Sequence, residues 1–280
     1  MSTHDFDISV LLPTRARTDM LFRSIRTLFD LADKKDRIYL LVGFDRDDAK
    51  GIDYFSQEIQ PWLAENDIEY SAMIFEPMGY ENLNVYYNLL AKQQSADWYF
   101  VWNDDATMVT QGWDTVIRNH KDQFQILKVH THNEHPYSIF PIVPHKWYDL
   151  LGTLSRHQMI DAEISQMAYM LDMVKIVDID VIHEPSPVPK VRFENAINDV
   201  RDFHHETWRN QRMKDCATLA TYMHSVDPNS TTFFKNVLEG RQDPWVKLVA
   251  NDVNKQQIQF PIAVEQQTYF PAELKTGPQS

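Results

Sequence analysis

Apolar runs alternate with amphipathic segments along the first 110 residues, and this pattern predicts strands and helices in turn. Short, mostly apolar runs of β-strand length predict strands at 8–12, 38–44, 70–75 and 98–102. Apolar positions at helical spacing predict helices at 19–31, 53–66 and 83–94. Pro61 should break or kink the second helix. Strand–helix alternation at this spacing predicts parallel βαβ units, and hence an α/β domain with a mostly parallel central sheet flanked by helices.

The pattern continues less regularly to a proline-rich segment. It predicts a helix at 113–120, a strand at 125–130, an irregular or edge element at 136–144, a helix at 161–173 and a strand at 175–182 that ends at His183. Pro185, Pro187 and Pro189 then form a stiff break. We therefore expect a main domain over 1–189 and a helical C-terminal extension and tail over 190–280.

Polar clusters follow three of the predicted strands. Pro13-Thr14-Arg15 ends the first strand, Asp45 ends the second, and Asn103-Asp104-Asp105 follows the aromatic strand 98–102. Ligands of open α/β sheets bind at the carboxyl ends of the strands, so the clusters should converge on one site. Adjacent carboxylates are costly to hold together unless a cation neutralises them, which predicts a divalent metal carrying a phosphorylated ligand. The alternative is a solvated loop.

Composition narrows the function classes. The formal net charge is −13, which disfavours non-specific nucleic-acid binding and an anionic membrane surface. Cys216 is the only cysteine, so the chain has no intrachain disulfide and suits a reducing compartment. No apolar run approaches 18 residues and the N-terminus has no signal-peptide core, so we expect no membrane span and a cytoplasmic protein.

The order of four motifs resembles the glycosyltransferase family 2 group, which has the GT-A fold. The motifs are Ile8-Ser-Val-Leu-Leu-Pro-Thr-Arg15, Leu40-Leu-Val-Gly-Phe-Asp45, Asn103-Asp104-Asp105 at the DxD position, and Asp161-Ala-Glu163 before a strand that ends at His183. Some positions differ from the family pattern. Asn103 stands for the first aspartate of DxD, and Asp45-Arg-Asp-Asp48 lacks the usual glycine and serine. No Gln-x-x-Arg-Trp segment is present, which argues against a processive synthase.

The resemblance implies a metal-dependent glycosyltransferase that moves a sugar from a UDP- or GDP-linked donor to a glycan or other hydroxyl acceptor, with inversion. It implies that Asp105 and His183 bind Mn²⁺ or Mg²⁺ and that Asp104 binds the ribose or the metal. The remaining donor-site candidates are Pro13, Thr14, Arg15, Arg17, Asp45, Asn84 and Asn88. For Asn84 and Asn88, one helical turn apart, a capping or packing role is equally open. We expect Asp47 and Asp48 to be solvated.

An inverting transfer needs a general base for the acceptor hydroxyl. Asp161 and Glu163 are two residues apart on a predicted helix, so they cannot share one face. We predict Asp161, because Ile160 and Ile164 place the helix start against the sheet. Two solvated acids favoured by the helix dipole are the alternative, and a retaining mechanism stays open.

Two other functions fit parts of the sequence. His130 and His132 would share one face of a strand, and with His135 they could form the zinc site of a metallohydrolase. The imperfect DxD motif also suits a non-catalytic nucleotide- or sugar-binding module. A nucleotidyltransferase is less consistent, because residues 14–18 contain no glycine. The C-terminal helices could support an oligomer.

Overall fold

The computed structural model describes residues 5–132, 137–184, 202–203 and 205–230. Within them, eight strands form one sheet in the order β3-β2-β1-β4-β7-β6-β8-β5. The strands are β1 (Phe6–Thr14), β2 (Ile38–Asp45), β3 (Tyr70–Phe75), β4 (Ala96–Val101), β5 (Ala106–Met108), β6 (Ile126–Thr131), β7 (Ile142–Pro144) and β8 (Val174–His183).

The sheet is mixed, but most of its strands run in one direction. Strand β1 is parallel to β2 and β4, β2 is parallel to β3, and β6 is parallel to β8. Strand β7 is antiparallel to both β4 and β6, and β5 is antiparallel to β8. The predicted α/β class with a mostly parallel central sheet is therefore confirmed, with β5 and β7 reversed.

Helices cover both faces of the sheet. They are α1 (Thr18–Asp30), α2 (Ala49–Tyr54), α3 (Gln60–Glu65), α4 (Leu83–Ala91), α5 (Trp113–Arg118), α6 (His145–Leu151), α7 (Ile160–Met170) and α8 (Glu206–Val226). Buried residues of α1, α3 and α5 belong to one core cluster, and those of α4, α6, α7 and α8 belong to a second. The result is three layers, with the sheet in the middle.

Alternation along the aromatic strand explains the two cores. Trp98, Phe100 and Trp102 enter the first core, whereas Tyr99 and Val101 enter the second. Each is at most 3% exposed. Complete burial of a large apolar side chain contributes about 1.5–3 kcal/mol, so this strand anchors the acidic loop that follows it.

The prediction of an irregular or edge element at 136–144 was right in part: residues 137–141 have no regular structure, but the strand that follows them is not at an edge. Strand β7 (Ile142–Pro144) lies inside the sheet, between β4 and β6. Three residues are too few to show a period, and Pro144 is tolerated because it ends the strand and is the N-cap residue of α6. Strand β5, also of three residues, was not predicted for the same reason, and helix α6 was not predicted either.

Pro61 does not end the helical segment in which it lies. A π-helical turn at Phe55–Ile59 joins α2 to α3, and Pro61 lies at the start of α3. The chain therefore stays helical over 49–65, close to the predicted 53–66.

Helix α8 belongs to the core of the main domain. Its Met213, Cys216 and Leu219 are buried in the same cluster as Trp147 of α6 and Met167 of α7. The predicted boundary at 189/190 lies outside the described residues. No helix in the described part of the chain is long and apolar enough to cross a membrane.

Candidate functional site

The three predicted polar clusters meet at one edge of the sheet. Thr14 Oγ1 donates to Asp104 Oδ2 at 2.7 Å, although the two residues are 90 positions apart. Arg15 Nη1 donates to Asp45 Oδ2, also at 2.7 Å. Pro13 is half-buried at the last position but one of β1. The ends of β1, β2 and β4 therefore build one site, as parallel alignment requires.

Arg17 bonds both of the adjacent carboxylates and offsets part of their charge. Its Nη1 donates to Asp104 Oδ1 and to Asp105 Oδ2, each at 2.8 Å. Both aspartates are only 5% exposed, so these charge-assisted bonds form in a largely desolvated place. The cation that the acidic pair needs is thus supplied, within the protein itself, by a guanidinium.

Asp104 and Asp105 differ in acidity. Burial raises the pKa of Asp104, and the bonds from Thr14 and Arg17 do not offset it, so the net shift is upward. Burial also raises the pKa of Asp105, but His183 and Arg17 outweigh it and the net shift is downward. Asp105 is therefore the stronger acid of the two.

Asp105 and His183 lie close to each other at the edge of the sheet. Asp105 Oδ1 is buried, has no hydrogen-bond partner among the described residues, and lies 3.4 Å from His183 Nε2. That separation is too long for a good hydrogen bond. An unpartnered carboxylate oxygen beside an imidazole nitrogen is a donor set that suits Mn²⁺. Within the described residues, no three His, Cys, Asp or Glu side chains are grouped to hold a metal.

Neighbouring contacts hold His183 in place. Glu184 N donates to the Asp105 carbonyl at 2.9 Å, which ties the end of β8 to the acidic loop. The Phe140 ring meets the His183 ring edge to face, with centroids 5.3 Å apart. The imidazole is therefore positioned by both the backbone and an aromatic neighbour.

Side chains of α1 and α4 fix the acidic loop from both sides. Ser24 Oγ accepts from Trp102 Nε1 at 2.7 Å and donates to the Asn103 carbonyl at 3.0 Å. Tyr87 OH lies 2.8 Å from the Trp102 carbonyl and 2.7 Å from Asn103 Oδ1. The side-chain oxygen of Asn103 is thus engaged by a phenol. Burial, together with the charges of Asp104 and Asp105, raises the pKa of Tyr87 well above its usual value, so the phenol stays a donor.

A second ion-pair group surrounds Asp45. Arg15 bonds both Asp45 and Asp47, which raises the pKa of Arg15 and lowers that of Asp47. Tyr86 OH donates to the other oxygen of Asp45. Arg15 is half exposed, so its guanidinium is accessible to a ligand at the sheet edge.

The prediction that Asp48 is solvated was wrong. Asp48 is buried, and its carboxylate accepts from Ala16 N at 2.8 Å and from Gly51 N at 3.1 Å. It caps α2 and at the same time holds the loop that follows β1. Asp47 is half exposed, as predicted for a solvated acid.

Asn88 bonds a loop of its own chain. Its Nδ2 donates to the Ser155 carbonyl at 2.7 Å, and its Oδ1 accepts from Leu154 N at 2.8 Å. These contacts connect α4 to the loop before α7. Asn84, one turn earlier, is half-buried.

Asp161 and Glu163 occupy different surroundings at the start of α7. Glu163 is fully buried, and its Oε2 accepts from Ser155 Oγ at 2.5 Å, Arg156 N at 2.7 Å and His157 N at 2.9 Å. Asp161 is partly exposed, and its charge contributes to the raised pKa of Tyr87. Glu163 therefore organises a loop, whereas Asp161 lies within electrostatic range of the acidic site.

The histidines proposed for a hydrolase do not form a metal cluster in the described chain. His130 and His132 are both exposed, and His135 lies outside the described residues. His132 Nδ1 is 3.4 Å from the backbone nitrogen of His183. The zinc-site arrangement therefore has no support from the described part of the protein.

Several supporting residues were not predicted from the sequence. Ser24, Tyr86 and Tyr87 each place a hydroxyl on the site's backbone or acids. The signal available was position: Tyr86 and Tyr87 lie between Asn84 and Asn88, on a helix already assigned to this edge. Amphipathic tyrosines there can pack their rings and still reach polar groups.

Comparison with known proteins identifies the fold. No family model matches the sequence, and no curated protein matches it significantly. Among solved structures, the mannosyltransferase PcManGT from Pyrobaculum calidifontis, in complex with GDP-Man and Mn²⁺, aligns over 89% of this chain and 79% of its own, with a TM-score of 0.55 at 11% identity. TarS 1–349 of S. aureus, in complex with UDP-GlcNAc, aligns over 88% and 80%, with the same TM-score and identity. This likeness confirms the predicted GT-A fold.

Proposed function

We propose that this protein is a metal-dependent glycosyltransferase that moves a sugar from a UDP- or GDP-linked donor to a hydroxyl acceptor, with inversion. One observation supports it above the others. In a GT-A fold, the buried Asp105 Oδ1 accepts no hydrogen bond from the described residues and lies beside His183 Nε2 at the edge where three strands end. A carboxylate oxygen left without a partner is costly unless something binds it.

Asp105 and His183 would hold Mn²⁺ or Mg²⁺, which when bound stabilises the negative charge of the departing diphosphate. The donor's phosphate oxygens and water would complete the shell around these two ligands. The structures of PcManGT and TarS contain GDP-Man with Mn²⁺ and UDP-GlcNAc respectively, and both donors carry a diphosphate.

The remaining site residues would bind and orient the donor. Arg15 presents a half-exposed guanidinium fixed by Asp45, and such a planar fork suits a phosphate or a nucleotide base. Asp45 and Asp104 would accept hydrogen bonds from the base or the ribose. Tyr87 and Thr14 keep the acidic loop in the geometry that these contacts need.

Asp161 would act as the general base. The acceptor oxygen forms a bond to the anomeric carbon, the bond from that carbon to the phosphate oxygen breaks, and the acceptor proton passes to the Asp161 carboxylate. Its partial exposure at the start of α7 suits this role, because an acceptor must reach it. The carboxylate's influence on Tyr87 supports its placement near the acidic loop.

The test is a panel of UDP- and GDP-sugars incubated with Mn²⁺ and small hydroxyl acceptors, with release of UDP or GDP measured. We expect one donor class to be turned over and the activity to disappear in EDTA. NMR of the product would then show an anomer opposite to that of the donor. Donor binding without release of UDP or GDP would instead support a non-catalytic nucleotide- or sugar-binding module.

A further inference from the structure

Arg17 places a positive charge beside the carboxylate that we propose as a metal ligand. Its Nη1 carries two N–H groups, and one bonds each of Asp104 and Asp105 at 2.8 Å. The Arg17 side chain is 24% exposed, so its charge is only partly screened. A cation on the other oxygen of Asp105 would lie within a few ångströms of this guanidinium, and like charges at that range repel strongly in a partly buried site.

The chain holds Arg17 there with a special turn. Ala16 adopts a left-handed conformation with φ of 58°, which costs a non-glycine residue about 1 kcal/mol or more. The buried carboxylate of Asp48 accepts from Ala16 N at 2.8 Å and compensates for this strain. The turn aims Arg17 back across the ends of the strands, directly before α1 begins at Thr18.

We propose that Arg17 is a resident counter-cation that competes with the divalent metal for Asp105. Without metal, Arg17 offsets part of the negative charge of the acidic pair and keeps the loop folded. A nucleoside diphosphate brings negative charge that compensates for both cations. Metal therefore binds weakly to the free protein and more tightly together with the nucleotide. The inference rests on the proposed metal site at Asp105 and adds the order in which that site fills.

The test measures Mn²⁺ affinity alone, by electron paramagnetic resonance of free Mn²⁺, and repeats it with UDP and with GDP. Arg17→Gln removes the competing charge. Arg23→Gln is the matched control, because Arg23 lies on α1, changes the net charge equally and, among the described residues, forms an ion pair with Glu184 at 2.5 Å and with neither Asp104 nor Asp105. We expect Arg17→Gln to bind Mn²⁺ about tenfold or more tighter than Arg23→Gln, which is about 1.4 kcal/mol. The nucleotide should then increase the Mn²⁺ affinity of Arg17→Gln less than that of the parent.

Equal or weaker Mn²⁺ binding by Arg17→Gln, relative to Arg23→Gln, would overturn the proposal. Thermal unfolding in EDTA provides an independent reading. Arg17→Gln should melt below Arg23→Gln, and Mn²⁺ should restore more of the loss in Arg17→Gln. If Arg17→Gln does not fold, Arg17→Lys keeps the charge and should bind Mn²⁺ as weakly as the parent; tighter binding by it would refute competition.

These readings need no sugar transfer. If Arg17→Gln binds Mn²⁺ more tightly but the parent protein turns over no donor, the counter-cation role is supported and the proposed enzymatic function is refuted. If the parent protein turns over a donor but Arg17→Gln binds Mn²⁺ no more tightly, the enzymatic function is supported and the counter-cation role is refuted. The two proposals can therefore fail separately.

Discussion

Replacing each carboxylate at the start of α7 by its amide should distinguish the acid that stabilises the fold from the acid that takes part in the reaction. Glu163→Gln keeps the shape but replaces a charged acceptor that holds three donors from Ser155, Arg156 and His157. A hydrogen bond to a charged group contributes roughly 1 kcal/mol more than a neutral one, so three bonds predict a loss of about 3 kcal/mol. The melting temperature should fall by roughly 6–12 °C.

Arg212 adds to the cost of Glu163→Gln. Arg212 is almost fully buried on α8, and burial lowers its pKa to about 10. The negative charge of Glu163 acts in the other direction and raises the pKa of Arg212. Glu163→Gln removes that charge and leaves the guanidinium less compensated. Glu65→Gln is the control, because it makes the same chemical change at an exposed position on α3 and should leave the melting temperature unchanged.

Asp161→Asn should show the opposite behaviour. It should alter stability by about 1 kcal/mol at most, through a weaker interaction with the helix dipole. Transfer should fall by ~10²–10⁴-fold while donor binding stays nearly intact. The measurements are thermal unfolding and release of UDP or GDP in each variant. A Glu163→Gln variant that is stable but inactive, beside an active Asp161→Asn, would refute the assignment of roles.

Three further changes test the supporting contacts. Thr14→Val leaves one oxygen of buried Asp104 without its donor and should lower the urea midpoint by the equivalent of about 1–3 kcal/mol; an unchanged midpoint would contradict the contact. Ser24→Ala strips a partner from the buried Trp102 indole and from a loop carbonyl, so it should cost about 2 kcal/mol and weaken Mn²⁺ binding, whereas normal Mn²⁺ affinity would show that the loop holds itself. Burial lowers the pKa of His157 despite Asp202, so the folded state binds fewer protons than the unfolded state below about pH 6.5. Stability should therefore fall as pH drops through 6.5, and His157→Gln should flatten that dependence; equal slopes in both proteins would contradict it.

The strands that build the site could be predicted because each is a continuous apolar run that ends in polar residues. Strand β3 lies at the predicted residues, β2 differs from its prediction by one residue at its end, and β1 and β4 differ by one or two residues at each end. Their convergence followed from parallel alignment alone, and the Thr14–Asp104 bond shows it directly. Short elements carried no such signal: β5 and β7 have three residues each and depend on pairing with neighbours distant in sequence.

Side-chain partners could be predicted less well than positions. The need for a cation beside Asp104 and Asp105 followed from electrostatics, but the sequence did not show that Arg17 would supply it. Asp48 illustrates the same limit. From the sequence it is an acid after a strand, which predicts exposure to solvent, but in the structure its carboxylate accepts hydrogen bonds from Ala16 N and Gly51 N. The separation of Asp161 from Glu163 was predictable, because two residues along a helix place side chains on different faces.

The central claim is that Asp105 couples metal to nucleotide binding at this edge of the sheet. Calorimetric titration of UDP and GDP into the parent and into Asp105→Asn, each with Mn²⁺ and with EDTA, tests it most directly. We predict that the parent binds one of the two nucleotides and loses about tenfold or more of its affinity in EDTA, about 1.4 kcal/mol. Asp105→Asn should fold normally and bind equally weakly in both conditions. A parent affinity unaffected by EDTA, or an Asp105→Asn variant that still responds to Mn²⁺ as the parent does, would contradict the claim.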